Sequence, residues 1–259
     1  MIEKTLHESL PRMSWIDYTF ILIAFVAAAG IKGLTGIGFS TSCLSIMALR
    51  LDLKVAIPLV IFPSIVSNLA VMIQAGRFRH AVKRFWPFYI ASVPGLLLGL
   101  SILLSIDINI AKAILGLILM SYAIWALSNA SYALSNRWER NLKLPAGFLT
   151  GFINGLTGSQ VMPSLPYLLA LDIEKNDFVQ AINISFTLSS LIMLIGMNYS
   201  GHLSTITSTL ATLGIVVVLT VLYLAGQIRE KLSGTSHRRL VLIFLLLTGL
   251  VLIFKAVIF

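Results

Sequence analysis

The sequence predicts an all-α polytopic membrane protein made of two homologous halves, on the strength of two observations. Of its 259 residues, 58% are hydrophobic and only 11% charged, and the mean hydropathy is +0.94. An ordinary soluble domain carries roughly 25% charged residues. The second observation is a repeat: Gly-Leu-Thr-Gly stands at Gly33 to Gly36 and again at Gly155 to Gly158, each time inside a long apolar stretch. The layout that follows is a tail over 1–14, a first membrane repeat over 15–128, a connection over 129–141 and a second repeat over 142–259.

The tail is polar, with Glu3 and Glu8 against Lys4 and Arg12. The apolar run behind it ends in Ala27-Ala28-Ala29, which imitates a secretory signal with a small-residue cleavage site. Its counterpart in the second half, Leu142 to Leu156, is internal, so the first segment is expected to stay as a membrane helix. Five apolar segments follow in each half. The first half has Trp15 to Lys32, Leu34 to Leu49, Val55 to Gln74, Phe85 to Leu104 and Ile108 to Leu127. The second has Leu142 to Leu156, Gln160 to Leu171, Phe178 to Met197, Leu203 to Ile228 and Leu240 to Phe259.

The second segment of each half is short. At about 1.5 Å per residue, a helix of about 12 residues covers about 18 Å, too little for a hydrocarbon core of about 30 Å. Each Gly-Leu-Thr-Gly is therefore read as the elbow of a re-entrant hairpin or of a discontinuous helix, with three long transmembrane helices after it. The repeat extends beyond the motif. Met47-Ala-Leu matches Leu169-Ala-Leu, Ala75-Gly76-Arg77-Phe78 parallels Ser200-Gly201-His202-Leu203, and Gly99 parallels Gly226.

Basic residues set the sidedness. Arg77, Arg79, Lys83 and Arg84 follow the third segment, Arg137, Arg140 and Lys143 lie about the central connection, and Arg229, Lys231, Arg238 and Arg239 precede the last segment. Cytoplasmic loops gather Lys and Arg. If each hairpin enters and leaves on one side, these three groups share the cytoplasmic face, and the loop from Asn198 to His202, without Lys or Arg, lies outside. The halves are then inverted, with both termini outside. This orientation accounts for the net charge of +9 and leaves no call for nucleic acid.

An ionisable side chain near the bilayer centre costs at least about 2.5 kcal/mol, so Lys32 needs a reason. Two are open: its ammonium and the backbone N–H groups of a helix opening after Gly33 hold a small anion, or the side chain snorkels to the far interface. Gly147 and Gly151 fit close helix packing. Around Gly33, Gly36, Gly38, Gly155 and Gly158, the side chains of Thr35, Asn154, Thr157, Ser159 and Gln160 suit a binding turn, because hydroxyls and amides satisfy unwound backbone and coordinate anions. Pro163 and Pro166 fit the first turn of a half-helix or a kink in it. Asn68 and Asn183 sit mid-segment in the third helix of each half, positioned either to reach an elbow or to hydrogen-bond between helices.

All ten Asp and Glu lie in the tail, in loops or at segment ends, and no buried carboxylate is expected as a proton relay. The four histidines, His7, His80, His202 and His237, lie at borders. A single cysteine, Cys43, excludes an intrachain disulfide and a multi-cysteine metal site. No catalytic residue, metal or cofactor is expected, and a buried catalytic pair for a membrane enzyme is not visible.

The segments Gly30-Ile-Lys-Gly-Leu-Thr-Gly-Ile-Gly38 and Gly151-Phe-Ile-Asn-Gly-Leu-Thr-Gly-Ser-Gln-Val-Met-Pro163 resemble those of the TauE/SafE sulfite exporter family, and the resemblance covers nearly the whole chain. It implies a multi-pass permease of the bacterial inner membrane for sulfite, sulfonates or other small organic anions. Where the family commonly has further glycines after the second motif, this chain has Ser159-Gln160, which narrows the site and adds a donor and an acceptor. The expected partners are a small anion and the lipid bilayer, with a homo-oligomer possible. A non-transporting membrane subunit is the competing reading, and the polar breaks argue against it.

Overall fold

The computed structural model describes residues 13–128, 133–203, 205–229 and 234–258. Among these residues it is helical, without a strand. The ten helices fall into two sets of five. The first set is α1 (Trp15–Thr35), α2 (Phe39–Ala48), α3 (Leu53–Ala75), α4 (Phe78–Ser105) and α5 (Ile108–Leu127). The second is α6 (Asn136–Thr157), α7 (Ser164–Leu169), α8 (Lys175–Tyr199), α9 (Thr205–Arg229) and α10 (Gly234–Ile258). Seven of them, α1, α3, α4, α5, α8, α9 and α10, are long and apolar enough to cross a membrane. Residues 1–12 of the expected tail, which carry its charges, and Lys231 of the last basic loop lie outside the described residues.

The helix starts explain where several acids go. Ser14 caps α1 in a reciprocal box with Asp17, Asp52 accepts from the Lys54 N–H to open α3, and Asp107 accepts from the Asn109 N–H to open α5. A carboxylate there takes up N–H groups that lack an intrahelical partner. One expectation is corrected by α6, which begins at Asn136, inside the expected connection. Its first turns are charged, and Arg84 of α4 holds Glu139 through two bonds of 3.0 and 2.9 Å, so tertiary pairing extends the helix past its apolar part.

Both hairpins return to the side they entered from. Arg50, after α2, pairs with Asp17 at the start of α1. In the second set the Leu134 N–H donates to the Ala170 carbonyl at 2.8 Å, and the Tyr167 hydroxyl donates to the Glu139 carbonyl at 3.1 Å. α2 and α7 are thus re-entrant arms of 10 and 6 residues.

Contacts between the sets are reciprocal. α4 packs on α6 and α8, while their counterparts α9, α1 and α3 pack as α9 on α1 and α3; α3 meets α8, and α5 meets α10. Glycines settle the directions. A methyl built on Gly95 would meet Phe148, one on Gly99 would meet Phe152, and one on Gly155 would meet Leu96, so α4 and α6 run parallel. Gly33 meets Leu222 and Ala225 while Gly214 meets Phe25, so α1 and α9 run parallel too. Gly116 meets Gly249 and Leu252, whereas Gly249 meets Gly116 and Met120. The equivalent helices α5 and α10 are therefore antiparallel.

Candidate functional site

The two copies of Gly-Leu-Thr-Gly have the same local geometry. Gly33 and Gly155 are helical, and each helix runs on through Leu and Thr to end at a left-handed glycine, Gly36 with φ 84° and Gly158 with φ 72°. The Gly36 N–H donates to the Lys32 carbonyl at 2.6 Å and the Gly158 N–H to the Asn154 carbonyl at 2.7 Å. Thr35 donates to the Ile31 carbonyl at 2.8 Å and Thr157 to the Ile153 carbonyl at 2.7 Å. The motif is a helix C-cap, and the helix ends three residues later than expected in the first copy and one residue later in the second. The next helix opens at Phe39 after Gly38, itself left-handed with φ 90°, not after Gly33. Because a non-glycine residue is strained at such angles, Gly36→Ala is expected to cost about 1 to 2 kcal/mol, read as a fall in thermal midpoint of the detergent-solubilised protein that Gly30→Ala, with open space around it, does not show.

Gly33 and Gly155 face neighbouring helices instead of the turn. A methyl on Gly155 would lie 2.2 Å from the Leu96 carbonyl oxygen, and one on Gly33 2.5 Å from Ala225 Cβ.

The polar residues gather in two clusters. In the first, Lys32 is only 2% exposed. Its Nζ donates to Ser67 Oγ at 3.1 Å and to Asn68 Oδ1, and among the described residues it makes no ion pair. An ammonium has three N–H donors, so one donor and the charge remain unmatched. A snorkelling side chain keeps its charged head in water, whereas the Lys32 ammonium is enclosed by protein.

The second cluster lies about the second elbow, against α2, α3 and α8. Asn154, Gly158 and Gln160 line a cavity of about 10 Å³ with Ser40 of α2, Ile61 of α3 and Ser190 of α8, which is room for about one water molecule. Gly158 sits against Leu44 and Ile57, so the second elbow packs on the first hairpin. Gln160 Nε2 donates to the Phe186 carbonyl and to Ser190 Oγ, both at 3.3 Å. Asn154 Nδ2, Ser159 Oγ, Gln160 Oε1 and Asn68 Nδ2 are buried with no hydrogen-bond partner. Native interiors leave few such groups, and here several lie close together. The first turn of α2, whose N–H groups lack partners inside the helix, reaches this cavity through Ser40.

The Thr187 hydroxyl of α8 contacts Met72 Sδ of α3 at 3.7 Å, one turn along from Asn68 on the same face. Asn183 stands apart, with its Nδ2 on the Val179 carbonyl of its own helix at 2.7 Å. Ser40, Ser67 and Ser190 were not anticipated. Serine is common in membrane helices, and only its apposition to Lys32 or Gln160 distinguishes these three.

Glu139 and Asp177 correct the expectation that no carboxylate is buried. They stand at helix starts, as the sequence implies, yet are 8% and 4% exposed. Glu139 is held by Arg84 and Lys143, and Asp177 by His80 Nδ1 at 2.9 Å and Arg77 at 3.9 Å. His80 is thus a border residue with an acidic partner.

Seven helices long and apolar enough to cross a membrane, and two short ones with buried polar groups about their N-terminal ends, describe a polytopic membrane protein. A family model described as sulfite exporter TauE/SafE matches residues 20–252, and the chain belongs to that family, which is one of membrane transporters and not of enzymes. No curated protein and no solved structure matches it.

Proposed function

We propose that this chain is an alternating-access carrier of the bacterial inner membrane that exports a small anion, such as sulfite, a sulfonate or another organic anion, through a site built by the two elbows. The observation that carries the reading is Lys32, a buried lysine with two neutral partners and no carboxylate. An anion supplies both the missing charge and the missing acceptor. Asn154, Ser159 and Gln160, with the first turn of α2, supply further hydrogen-bonding groups to the site.

The antiparallel approach of the equivalent helices α5 and α10, together with the reciprocal packing of the other helices, supports an inverted arrangement of the halves. Inverted repeats exchange conformations across the membrane by rocking about a central site. An inside-negative potential supplies about 2.3 kcal/mol per charge per 100 mV for expelling an anion, so export needs no further coupling.

Reconstituted into liposomes, the protein is expected to move radiolabelled sulfite or a small sulfonate down an imposed potential, toward the positive side. A potential of about 100 mV should shift the steady-state ratio by about 50-fold. Absence of flux for sulfite, sulfonates and carboxylates alike overturns the carrier reading.

A further inference from the structure

α8 carries a polar stripe that the elbow site does not use up. Asp177, Gln180, Asn183, Thr187 and Ser190 follow one another at spacings of three or four residues and so lie on one face of the helix. Gln180 is 0% and Asn183 1% exposed, and both amide atoms of Gln180 and Oδ1 of Asn183 have no partner. These side chains do not bond the helices together. An unpaired buried polar group costs about 1 to 3 kcal/mol, a cost relieved when water or a polar solute reaches it.

The two ends of the stripe differ in chemistry. The inner end is Ser190, which accepts from Gln160 and lines the elbow cavity. The outer end is Asp177, paired with His80 and Arg77, and Arg77 also binds Glu174 at 2.6 Å. These pairs tie the start of α4 to the start of α8, across the mouth of the stripe. Unpaired, Asp177 would repel an anion, whereas Arg77 would attract one.

We infer that the α8 stripe is the access path between the elbow cavity and the membrane face bearing Arg77, His80 and Arg84, and that Asp177 with its partners is the gate on that path. The inference rests on the carrier reading for what passes through, but accessibility can be measured without transport. Replacing the single cysteine by Cys43→Ser leaves a thiol-free background. In it, Gln180→Cys and Asn183→Cys are probed from each side of sealed vesicles with an anionic sulfonatoethyl and a cationic trimethylammonioethyl methanethiosulfonate. Leu191→Cys, 44% exposed on the surface of α8, serves as the reference.

The expected result is modification of both positions from the face carrying Arg77, at least about tenfold faster than at Leu191→Cys. Asp177→Asn should speed the anionic reagent severalfold and not the cationic one. Arg77→Gln, at an exposed residue that leaves Asp177 less neutralised, should slow the anionic reagent. Opposite charge responses from two variants separate a gate from a merely loosened fold. Modification no faster than the reference, modification only from the other face, or equal effects of the variants on both reagents overturns the inference. Flux without such labelling removes the path alone, and labelling without flux removes the carrier reading alone.

Discussion

Lys32→Met is expected to abolish anion flux while leaving the folded protein as stable as before or more so. Methionine keeps most of the length and apolar volume of lysine, so the close packing of α1 on α9 around Gly33 is undisturbed. What disappears is the one positive charge in the first cluster, together with its bonds to Ser67 and Asn68. A hydrogen bond to a charged group contributes about 1.5 to 3 kcal/mol, and a buried ammonium facing an anion adds Coulomb attraction that water does not screen. Loss of about 3 kcal/mol is a loss of about 100-fold in transport efficiency. The stability effect has the opposite sign, because a buried lysine without a carboxylate carries a desolvation cost that methionine does not. Flux in liposomes and thermal midpoint in detergent, measured on the same preparation, check both. A structural lysine would lose both together, and a snorkelling one would lose neither. Lys32→Arg is expected to recover little, since a planar fork does not fit where a compact ammonium meets one hydroxyl and one amide.

The order and number of the helices were legible in the sequence because lipid imposes a simple rule: backbone groups must be satisfied within the segment, so long apolar runs must be helices. The ten expected segments correspond one to one with α1 to α10, and the fifth has the expected bounds, Ile108 to Leu127. The breaks were legible as glycines, but the first helix ends three residues later than expected, at Thr35, and the second one residue later, at Thr157. A Gly-Leu-Thr-Gly string cannot say which glycine takes the left-handed conformation and which is helical. That is decided by the Ala225 and Leu96 neighbours of the first glycine in each copy, residues far off in sequence. The polar side chains of the site were visible as anomalies in apolar runs. Their grouping was not, because Lys32 meets Asn68, and Gln160 meets Ser190, only through packing of separate helices. Asp177 and Glu139 stand in the sequence beside charged residues typical of loops, and their burial follows from Arg77, His80 and Arg84 on α4 closing over them.

The pairing of α4 with α6 is the least yielding part of the molecule, and Gly151→Val is expected to prevent its folding. A methyl built on Gly151 would lie 1.9 Å from the Ser92 carbonyl oxygen and 2.9 Å from the Leu96 nitrogen. Both are backbone atoms that no rotamer change can move. The same holds along the seam, where Gly147 would meet the Phe88 carbonyl oxygen at 2.2 Å, Gly95 that of Phe148 at 2.1 Å and Gly99 that of Phe152 at 2.1 Å. In lipid, helices associate through close packing, because the tails are as apolar as the side chains. Pushing α4 and α6 apart by about 1 Å therefore weakens contacts along the whole interface, where a radial gap of that size forfeits a quarter to a half of each dispersion well. Gly151→Ala should already cost about 1 to 3 kcal/mol, the range for overpacked cores, and valine adds two further carbons against the same backbone. Gly226→Ala is the contrast: nothing stands within 4 Å of it on α9, and glycine in a helix is less favourable than alanine by about 0.5 to 1 kcal/mol, so that variant should be neutral or stabilised. Gly99 and Gly226 hold corresponding places in the two halves, and the first is sealed while the second is open. If the halves rock against each other, α4 and α6 move as one body. A monodisperse, heat-stable Gly151→Val protein in detergent would overturn this account of the seam.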